Sequence, residues 1–320
     1  MYKFEVLLIF IITNLFFIIN FNNIKLFQIV LDKPDNKRKF HKKITPLAGG
    51  IILIINIILY QFLGFFFYNQ LQNEFYLNLF FITCLLIFLL GLIDDKCDLK
   101  PLVKFFFLTL IIGMFIYFDP STKIETLKLS FLDIKIFLNK YSYLFTLFCF
   151  LVFLNCFNMF DGINLQSSSY SLIIFTYFLF ITQFSIFVCV IIIFLIFFIY
   201  LNYNNKTFFG DNGSLLISFI ISYIFIHLFN TNLILYSDTV LIFMLIPGID
   251  MIRLFFERIK NKKNPLAFDR SHLHHLLIKK YSLLQTNILI NLLIISPLIL
   301  NFFNFDKVII ISLTILIYSL

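Results

Sequence analysis

The chain has 320 residues, of which 61% are hydrophobic and only 13% are charged, and its mean hydropathy is +0.96. Soluble globular domains contain about 45–50% apolar and about 25% charged residues, so this composition excludes a soluble domain and indicates an integral membrane protein. A formal net charge of +8 also occurs in nucleic-acid-binding proteins, but here the charges lie in loops between apolar runs, which membrane topology explains better. We expect membrane lipid and no nucleic acid as a partner.

Apolar runs follow one another along most of the chain and are bounded by polar residues, Gly or Pro. Because about 20 apolar residues span a bilayer, we predict about ten or eleven transmembrane helices. The runs cover residues 4–21, 47–68, 75–93, 102–118, 141–157, 168–182, 184–201, 214–229, 239–249, 286–303 and 308–320. The ninth run is short, and only Thr182 and Gln183 separate the sixth from the seventh. The sequence predicts an all-α polytopic integral membrane protein in which residues 1–320 form a single transmembrane domain.

The Lys and Arg residues fall mainly in the loops that follow odd-numbered runs, above all the first and the ninth. Basic loops stay in the cytoplasm, so these loops are predicted to be cytoplasmic and the N-terminus to lie outside. The opposite loops are short and nearly uncharged, apart from residues 119–140. We expect a multi-pass protein of the cytoplasmic (inner) membrane with its active site at the cytoplasmic face.

Three carboxylates, Asp94, Asp95 and Asp98, end the third run. On a helix, Asp94 and Asp98 share a face, with Asp95 beside them. Negative charge is unfavourable at a helix C-terminus, and ionisable residues near a membrane generally mark a function. The cluster is predicted to be functional, with a solvated helix end as the alternative.

The fifth run ends in Asn-Cys-Phe-Asn-Met-Phe-Asp-Gly, which places Asn155, Asn158 and Asp161 along one side of the last helical turns. Amide and carboxylate oxygens are hard ligands of the kind that Mg²⁺ binds together with substrate phosphates. An amide network between helices explains these three residues equally well when they are considered alone.

A glycine-containing segment, Phe-Gly-Asp-Asn-Gly-Ser, follows the seventh run, and the eighth helix is predicted to begin at about Ser214. Free backbone N–H groups at a helix start attract anions, and Asp211 offers a carboxylate for a cation that bridges to them. Isolated segments of this kind are most often only turns.

The loop after the ninth run contains Pro-Leu-Ala-Phe-Asp-Arg-Ser-His-Leu-His-His, in which the basic residues are Arg270, His272, His274 and His275. A zinc site is disfavoured, because no His-Glu-x-x-His motif, Cys partner or evident fourth ligand accompanies the histidines. Binding of a polyanion is the better explanation. All four groups follow odd-numbered runs, which predicts one cytoplasmic, magnesium-dependent site for a phosphate-bearing substrate.

These motifs together resemble the polyprenyl-phosphate N-acetylhexosamine-1-phosphate transferases. In chain order they are Asp-Asp-x-x-Asp-Leu with a following Lys104, Asn-x-x-Asn-x-x-Asp-Gly, Gly-Asp-x-Gly-Ser, and Pro-x-x-x-Asp-Arg-x-His-x-His-His. The resemblance covers residues 32–275 and includes the Pro-x-x-Gly-Gly segment of the first loop. The form of the His motif is most similar to the bacterial undecaprenyl-phosphate N-acetylglucosamine-1-phosphate transferases.

The resemblance implies that N-acetylhexosamine-1-phosphate, first of all N-acetylglucosamine-1-phosphate, passes from a UDP-N-acetylhexosamine to undecaprenyl phosphate. UMP would be released, and the product would begin a lipid-linked surface polysaccharide such as lipopolysaccharide O-antigen. A phospho-N-acetylmuramoyl-pentapeptide transferase of peptidoglycan synthesis is the second candidate. A non-enzymatic transporter or flippase is the third, and it would carry ionisable residues near mid-membrane. Whether the protein forms a homodimer stays open.

The resemblance also implies a role for each group. Asp211 and Asn158 would bind Mg²⁺, and Lys104 would hold a phosphate. Either Asp94 or Asp95 would assist or deprotonate the lipid phosphate, and a covalent role for one of them stays open. The residues implied to shape the site are Asp98, Asn155 and Asp161. Those implied to contact the nucleotide sugar are Arg270, His272, His274 and His275.

Two positions depart from the family pattern. Leu165 stands where the motif after the fifth run usually has its second Gly, and Phe105, Phe106 and Phe107 follow Lys104 where the family tends to carry a Gln. The charged groups are intact, so we expect these departures to affect donor specificity more than the reaction.

Overall fold

The protein is described by a computed structural model that covers residues 2–34, 43–67, 74–132, 134–183, 185–262 and 271–319. The α-helices are α1 (Tyr2–Ile19), α2 (Gly49–Phe67), α3 (Glu74–Cys97), α4 (Pro101–Phe118), α5 (Ser142–Phe160), α6 (Gln166–Ile181), α7 (Ile186–Tyr203), α8 (Gly210–Asn230), α9 (Ser237–Lys260), α10 (Leu273–Ile278), α11 (Leu283–Phe302) and α12 (Lys307–Ser319). Two short antiparallel pairs join β1 (Leu31–Asp32) to β2 (Thr45–Pro46) and β3 (Thr126–Lys128) to β4 (Lys135–Phe137).

The predicted all-α polytopic membrane fold is confirmed. Within the described residues, 7 helices are long and apolar enough to cross a membrane: α3, α4, α5, α7, α8, α9 and α11. The other predicted runs form the shorter apolar helices α1, α2, α6 and α12. The predicted break between the sixth and seventh runs is present, because α6 ends at Ile181 and Gln183 takes a left-handed φ of 49°.

The predicted end of the ninth run at residue 249 is wrong, because α9 continues to Lys260. The hydropathy pattern ends where Asp250 and Arg253 appear. These residues lie about one turn apart on one side of a helix that still buries Leu254 completely, so the polar residues do not interrupt the helix. Arg253 and Arg258, predicted to be loop residues, therefore lie on α9.

The chain forms two compact units. The first comprises Met1–Asp119 and Ser171–Ile221, and the second comprises Pro120–Tyr170 and Ser222–Leu320. One boundary between the units follows α4, and the other two fall within α6 and α8. A single transmembrane domain over residues 1–320 stays a prediction.

In the first unit, α7 packs against α1 and α2, and α3 packs against α4. Asn14 of α1 and Asn56 of α2 are buried among apolar side chains, and their amides pair at 2.8 and 3.3 Å. Such a pair satisfies polar groups that the apolar interior cannot solvate. It therefore joins α1 to α2 in a specific register.

In the second unit, α9 packs against α5, α11 and α12. The buried Tyr170 donates its hydroxyl to the carbonyl of Phe243 at 2.7 Å. At the start of α9, Asp238 accepts hydrogen bonds from the backbone N–H and the hydroxyl of Ser130. These contacts fix the β3–β4 segment to one end of α9.

Candidate active site

Lys104 lies between two carboxylates in the first unit. Its Nζ is 2.7 Å from Oδ2 of Asp94 and 2.6 Å from Oδ2 of Asp211. The three residues come from the last turn of α3, the first turn of α4 and the first turn of α8. The side chains of Asp94 and Lys104 are 8% and 12% exposed, whereas that of Asp211 is 34% exposed. Of the two carboxylates, Asp211 is therefore the one that a ligand from outside reaches more easily.

The turn between α3 and α4 places Asp94 and Lys104. The chain leaves α3 at Asp98, whose φ is 52° and whose N–H donates to the carbonyl of Asp94 at 2.8 Å, a common helix ending. Oδ1 of Asp94 accepts the N–H of Leu99 at 2.8 Å, and Pro101 begins α4. The prediction that Asp94 and Asp98 share a helix face is wrong, because the left-handed residue ends the helix and leaves the Asp98 side chain exposed.

Asp95 binds the beginning of α8. Its Oδ1 accepts the backbone N–H of Asp211 at 2.8 Å, and its Oδ2 accepts the N–H of Asn212 at 2.9 Å and the Asn212 side-chain amide. Gly210 enters the helix with a φ of 72°, which glycine adopts without strain. The predicted helix start at Ser214 is wrong, since Asp95 satisfies N–H groups that would otherwise lack acceptors and α8 begins at Gly210.

Gly50 and Gly91 allow α2 and α3 to approach this helix start closely. A Cβ atom on Gly50 would lie 2.1 Å from Oδ1 of Asn212, and a Cβ atom on Gly91 would lie 2.5 Å from the Cα of Asn212. Real Cβ atoms do not approach so near, so any side chain at either position would displace Asn212 and its neighbour Asp211. The Pro-x-x-Gly-Gly segment thus serves the site through packing.

The second unit contains the amide and carboxylate set predicted at the end of α5. Asn155 donates its amide to the carbonyl of Leu151 at 2.7 Å within α5. Asp161 directly follows the helix and accepts a hydrogen bond from the hydroxyl of Ser167, in the first turn of α6. Asn158 lies between them on the last turns of α5 and is partly buried. These contacts connect the end of α5 to the start of α6.

Leu165 keeps a glycine-like backbone at the position where the family pattern has glycine. Its φ is 72°, in the left-handed region. This conformation costs a residue with a Cβ about 1–2 kcal/mol. The departure from the family pattern therefore leaves the loop conformation in place at some cost in stability.

We expect Leu165→Val to lower the free energy of unfolding by about 1–2 kcal/mol, since a β-branched side chain is still less compatible with a positive φ. Leu165→Gly is expected to be tolerated, because relief of backbone strain offsets the loss of a partly buried side chain. Thermal unfolding of the purified protein in detergent measures both. A Val variant as stable as the parent would contradict the left-handed conformation.

The three imidazoles lie together at the start of α10. The ring centroids of His274 and His275 are 4.2 Å apart, and the rings of His272 and His274 are nearly parallel at 5.4 Å. A Cβ on Gly162 would lie 1.9 Å from Nε2 of His274, so this ring lies against the Asp-Gly turn after α5. Within the second unit, the fold thus brings together the His motif and the Asn-x-x-Asn-x-x-Asp-Gly motif.

His274 is only 1% exposed, and neither of its ring nitrogens has a hydrogen-bond partner among the described residues. Burial, together with the neighbouring His275 and His272, holds the pKa of His274 well below its usual range. The ring is therefore neutral at pH 7 and offers one donor and one acceptor. Arg270 lies outside the described residues.

Sequence reasoning missed Asp250 and Tyr318 and assigned Arg253 to a loop. In the structure these three residues form a hydrogen-bonded network beside His272. Nδ1 of His272 is 2.8 Å from Oδ2 of Asp250, and the Tyr318 hydroxyl donates to Oδ1 of the same carboxylate at 2.6 Å. A carboxylate within an apolar helix was the available signal. It was lost because Asp250 directly follows the predicted end of the ninth run.

The described residues contain no group of three or more His, Cys, Asp or Glu side chains that could hold a metal ion by themselves. Magnesium, however, is usually held by one or two protein carboxylates together with substrate phosphates and water. The partly exposed Asp211 fits that requirement, and the amide oxygen of Asn158 is of the same hard type.

The fold and these groups define a polytopic membrane protein with a carboxylate–ammonium cluster at helix ends. A family model described as glycosyl transferase family 4 matches residues 77–229. These residues are thus similar to that family, which confirms the resemblance predicted from the motifs.

Curated relatives agree with this result. The chain is 28% identical over 271 residues to the undecaprenyl-phosphate alpha-N-acetylglucosaminyl 1-phosphate transferase of Yersinia pestis, covering 78% of this chain and 70% of that protein. It is 28% identical to the protein of the same name from Escherichia coli K12, covering 78% and 69%. A probable undecaprenyl-phosphate N-acetylglucosaminyl 1-phosphate transferase of Bacillus subtilis is 26% identical, again covering 78% and 69%.

Proposed function

We propose that this protein transfers N-acetylhexosamine-1-phosphate, first of all N-acetylglucosamine-1-phosphate, from a UDP-sugar to undecaprenyl phosphate. UMP is released, and the lipid-linked product begins a cell-surface polysaccharide. The observation that carries the proposal is the contact of Lys104 with Asp94 and Asp211 at the adjoining ends of three helices. The names of the curated relatives support the same reaction.

The reaction brings two anionic groups together, since a phosphate oxygen of the lipid attacks the sugar-linked phosphorus of the nucleotide. Catalysis then depends on positioning and on positive charge. Lys104 supplies a fixed positive charge, and Asp94 holds it in place. Magnesium would neutralise the diphosphate, and Asp211 and Asn158 are the residues that the family resemblance implies as its ligands. Both oxygens of Asp95 accept hydrogen bonds from α8, so the role of Asp95 in this proposal is to hold Asp211 in position.

The imidazole cluster supports binding of the nucleotide sugar. A buried polar group without a partner costs about 1–3 kcal/mol, which a ligand recovers when it supplies the missing hydrogen bonds. The neutral His274 suits the amide-like groups of uracil or of an acetamido substituent better than a phosphate. The family resemblance implies nucleotide-sugar contacts for His272, His275 and Arg270 as well.

In this proposal the site lies at the cytoplasmic face of the inner membrane, because UDP-sugars are available in the cytoplasm. The supporting pattern is the concentration of Lys and Arg in the loops after odd-numbered runs. Cysteine labelling of single-Cys variants at Lys206 and Ser237 in sealed vesicles tests it. We expect Lys206→Cys to react only with reagent on the cytoplasmic side and Ser237→Cys only from the opposite side.

A membrane assay tests the reaction. Membranes containing the protein receive undecaprenyl phosphate, magnesium and one radiolabelled UDP-sugar at a time, and label is followed into the organic phase together with release of UMP. We expect product with UDP-N-acetylglucosamine. Product only with UDP-N-acetylmuramoyl-pentapeptide would assign the protein to peptidoglycan synthesis. Folded protein that transfers from no donor would overturn the proposal.

Asp211→Asn is expected to lower kcat by at least about 100-fold, without rescue by added magnesium, because a neutral amide is a much poorer ligand for a hard cation. The assay above, run across a magnesium titration, measures this. Glu125→Gln is the control, since it removes a negative charge from an exposed position outside the site. Parental activity in Asp211→Asn would remove Asp211 from the metal site.

A further inference from the structure

Asp250 lies where α9, the start of α10 and α12 come together within the second unit. It is only 2% exposed. Its Oδ2 is 2.8 Å from Nδ1 of His272, and its Oδ1 accepts the backbone N–H of Leu273 at 3.0 Å and the hydroxyl of Tyr318 at 2.6 Å. One buried carboxylate therefore holds both the imidazole ring and the backbone that follows it.

Arg253, about one turn further along α9, supports the same segment from a second side. Its Nη2 donates to Oδ1 of Asp250 at 3.0 Å and to the carbonyl of Ser271 at 2.5 Å, and its Nε donates to the Tyr318 hydroxyl at 2.9 Å. Ser271 and Leu273 flank His272 in the chain. The backbone on both sides of His272 is thus tied to α9.

Burying these charged groups carries a desolvation cost that apolar helix packing would avoid. A buried carboxylate is tolerated only when donors satisfy it, and apolar side chains of similar volume often stabilise a fold at least as well as a buried ion pair. The groups that contact Asp250 are the His272 ring itself, the backbone N–H of the next residue and side chains that hold the same segment. Placement of that ring explains the network better than stability does.

We infer that Asp250 is a positioning residue that, with Arg253 and Tyr318, sets the orientation and tautomer of His272 for the nucleotide sugar. The inference rests on the proposed function. When Nδ1 donates its proton to Asp250, the ring is held at one edge and Nε2 is the nitrogen left for a ligand. Carboxylates act in the same way behind metal-bound histidines, where their loss typically costs about 10–100-fold in affinity or activity.

A double-mutant cycle in the transfer assay tests the inference. Asp250→Asn is expected to lower kcat/KM by about 10–100-fold, mainly through a higher KM for the UDP-sugar, with the KM for the lipid unchanged. Combined with His272→Gln, it is expected to add little further loss, because residues that act through one another are not additive. Additive losses, or an Asp250→Asn variant within twofold of the parent, would overturn the inference.

Asp238→Asn is the matched control. Asp238 is another buried carboxylate on α9, at its opposite end, and accepts hydrogen bonds from Ser130. Its replacement tests for general damage to α9, and we expect kcat/KM to stay at the parental value. An equal loss of kcat/KM in Asp238→Asn and Asp250→Asn would overturn the inference.

A second measurement does not depend on activity. Reaction of the histidines with diethyl pyrocarbonate, followed by mass spectrometry of the His272 peptide, reports how firmly the ring is held. We expect a several-fold faster reaction at His272 in Asp250→Asn and no change in Asp238→Asn. An unchanged rate at His272 would overturn the positioning role. The two proposals can therefore fail separately. If the parent transferred no sugar phosphate, the proposed function would be refuted, whereas a faster reaction at His272 in Asp250→Asn would still support the contact between Asp250 and His272.

Discussion

Replacement of Lys104 by Met is expected to lower kcat for transfer by about 10²–10³-fold, the range seen when one preorganised electrostatic contact to a transition state is lost. The variant is also expected to be less stable. Without the ammonium group, the 8% exposed Asp94 faces Asp211 with no positive charge between them. Breaking a buried ion pair in this way typically costs about 3–5 kcal/mol.

Two further substitutions separate the effect of charge from that of position. Lys100→Met removes an exposed positive charge directly before α4, and we expect parental activity and stability. Lys104→Arg keeps the charge but changes the donor geometry, so activity is expected to lie between those of the parent and Lys104→Met. Kinetics and thermal unfolding on the same preparations measure both effects. Parental kcat in Lys104→Met would exclude Lys104 from the reaction.

A methyl group at Gly50 is expected to damage the site without removing any charged group. In Gly50→Ala the new Cβ would meet Oδ1 of Asn212 at 2.1 Å and its backbone carbonyl carbon at 2.4 Å. The start of α8 must move, so the Asp95 contacts and the position of Asp211 change with it. Overpacking of this kind typically costs about 1–3 kcal/mol, and we expect activity to fall by at least about tenfold, because small displacements of reacting groups are costly.

Gly64→Ala provides the matched control on the same helix. A Cβ at Gly64 meets no atom within 4 Å. In a helix interior, replacement of Gly by Ala ordinarily stabilises by about 0.5–1 kcal/mol. The two substitutions are therefore expected to change the melting temperature in opposite directions. If both variants melted above the parent and kept its activity, the close approach of α2 to α8 would be refuted.

The helices were predictable because the length and polarity of an apolar run decide whether it crosses a bilayer, whatever it packs against. Local pattern was also enough to separate α6 from α7 at Thr182 and Gln183. The same reasoning failed at the end of α9, since a hydropathy window cannot distinguish a loop from a helix whose buried polar residues bind one another. For this reason Asp250 escaped notice and Arg253 was assigned to a loop.

The candidate site was only partly predictable. The motifs identified Asp94, Lys104 and Asp211 as members of one cluster, and the structure brings these three together. It also assigns contacts that no spacing rule reveals. Asp95 caps α8. Asp98, which was expected beside it, has a left-handed backbone conformation and an exposed side chain instead.

The sequence by itself determined that this protein lies in a membrane, which apolar runs form helices and which family it resembles, because hydropathy and short motifs are local properties of the chain. Only the tertiary structure decided which polar groups meet. Lys104 contacts Asp211 across more than a hundred residues, and Asp250 of α9 holds His272 and Tyr318. In an apolar interior each buried charge must find a partner, and helix packing determines which partner is within reach.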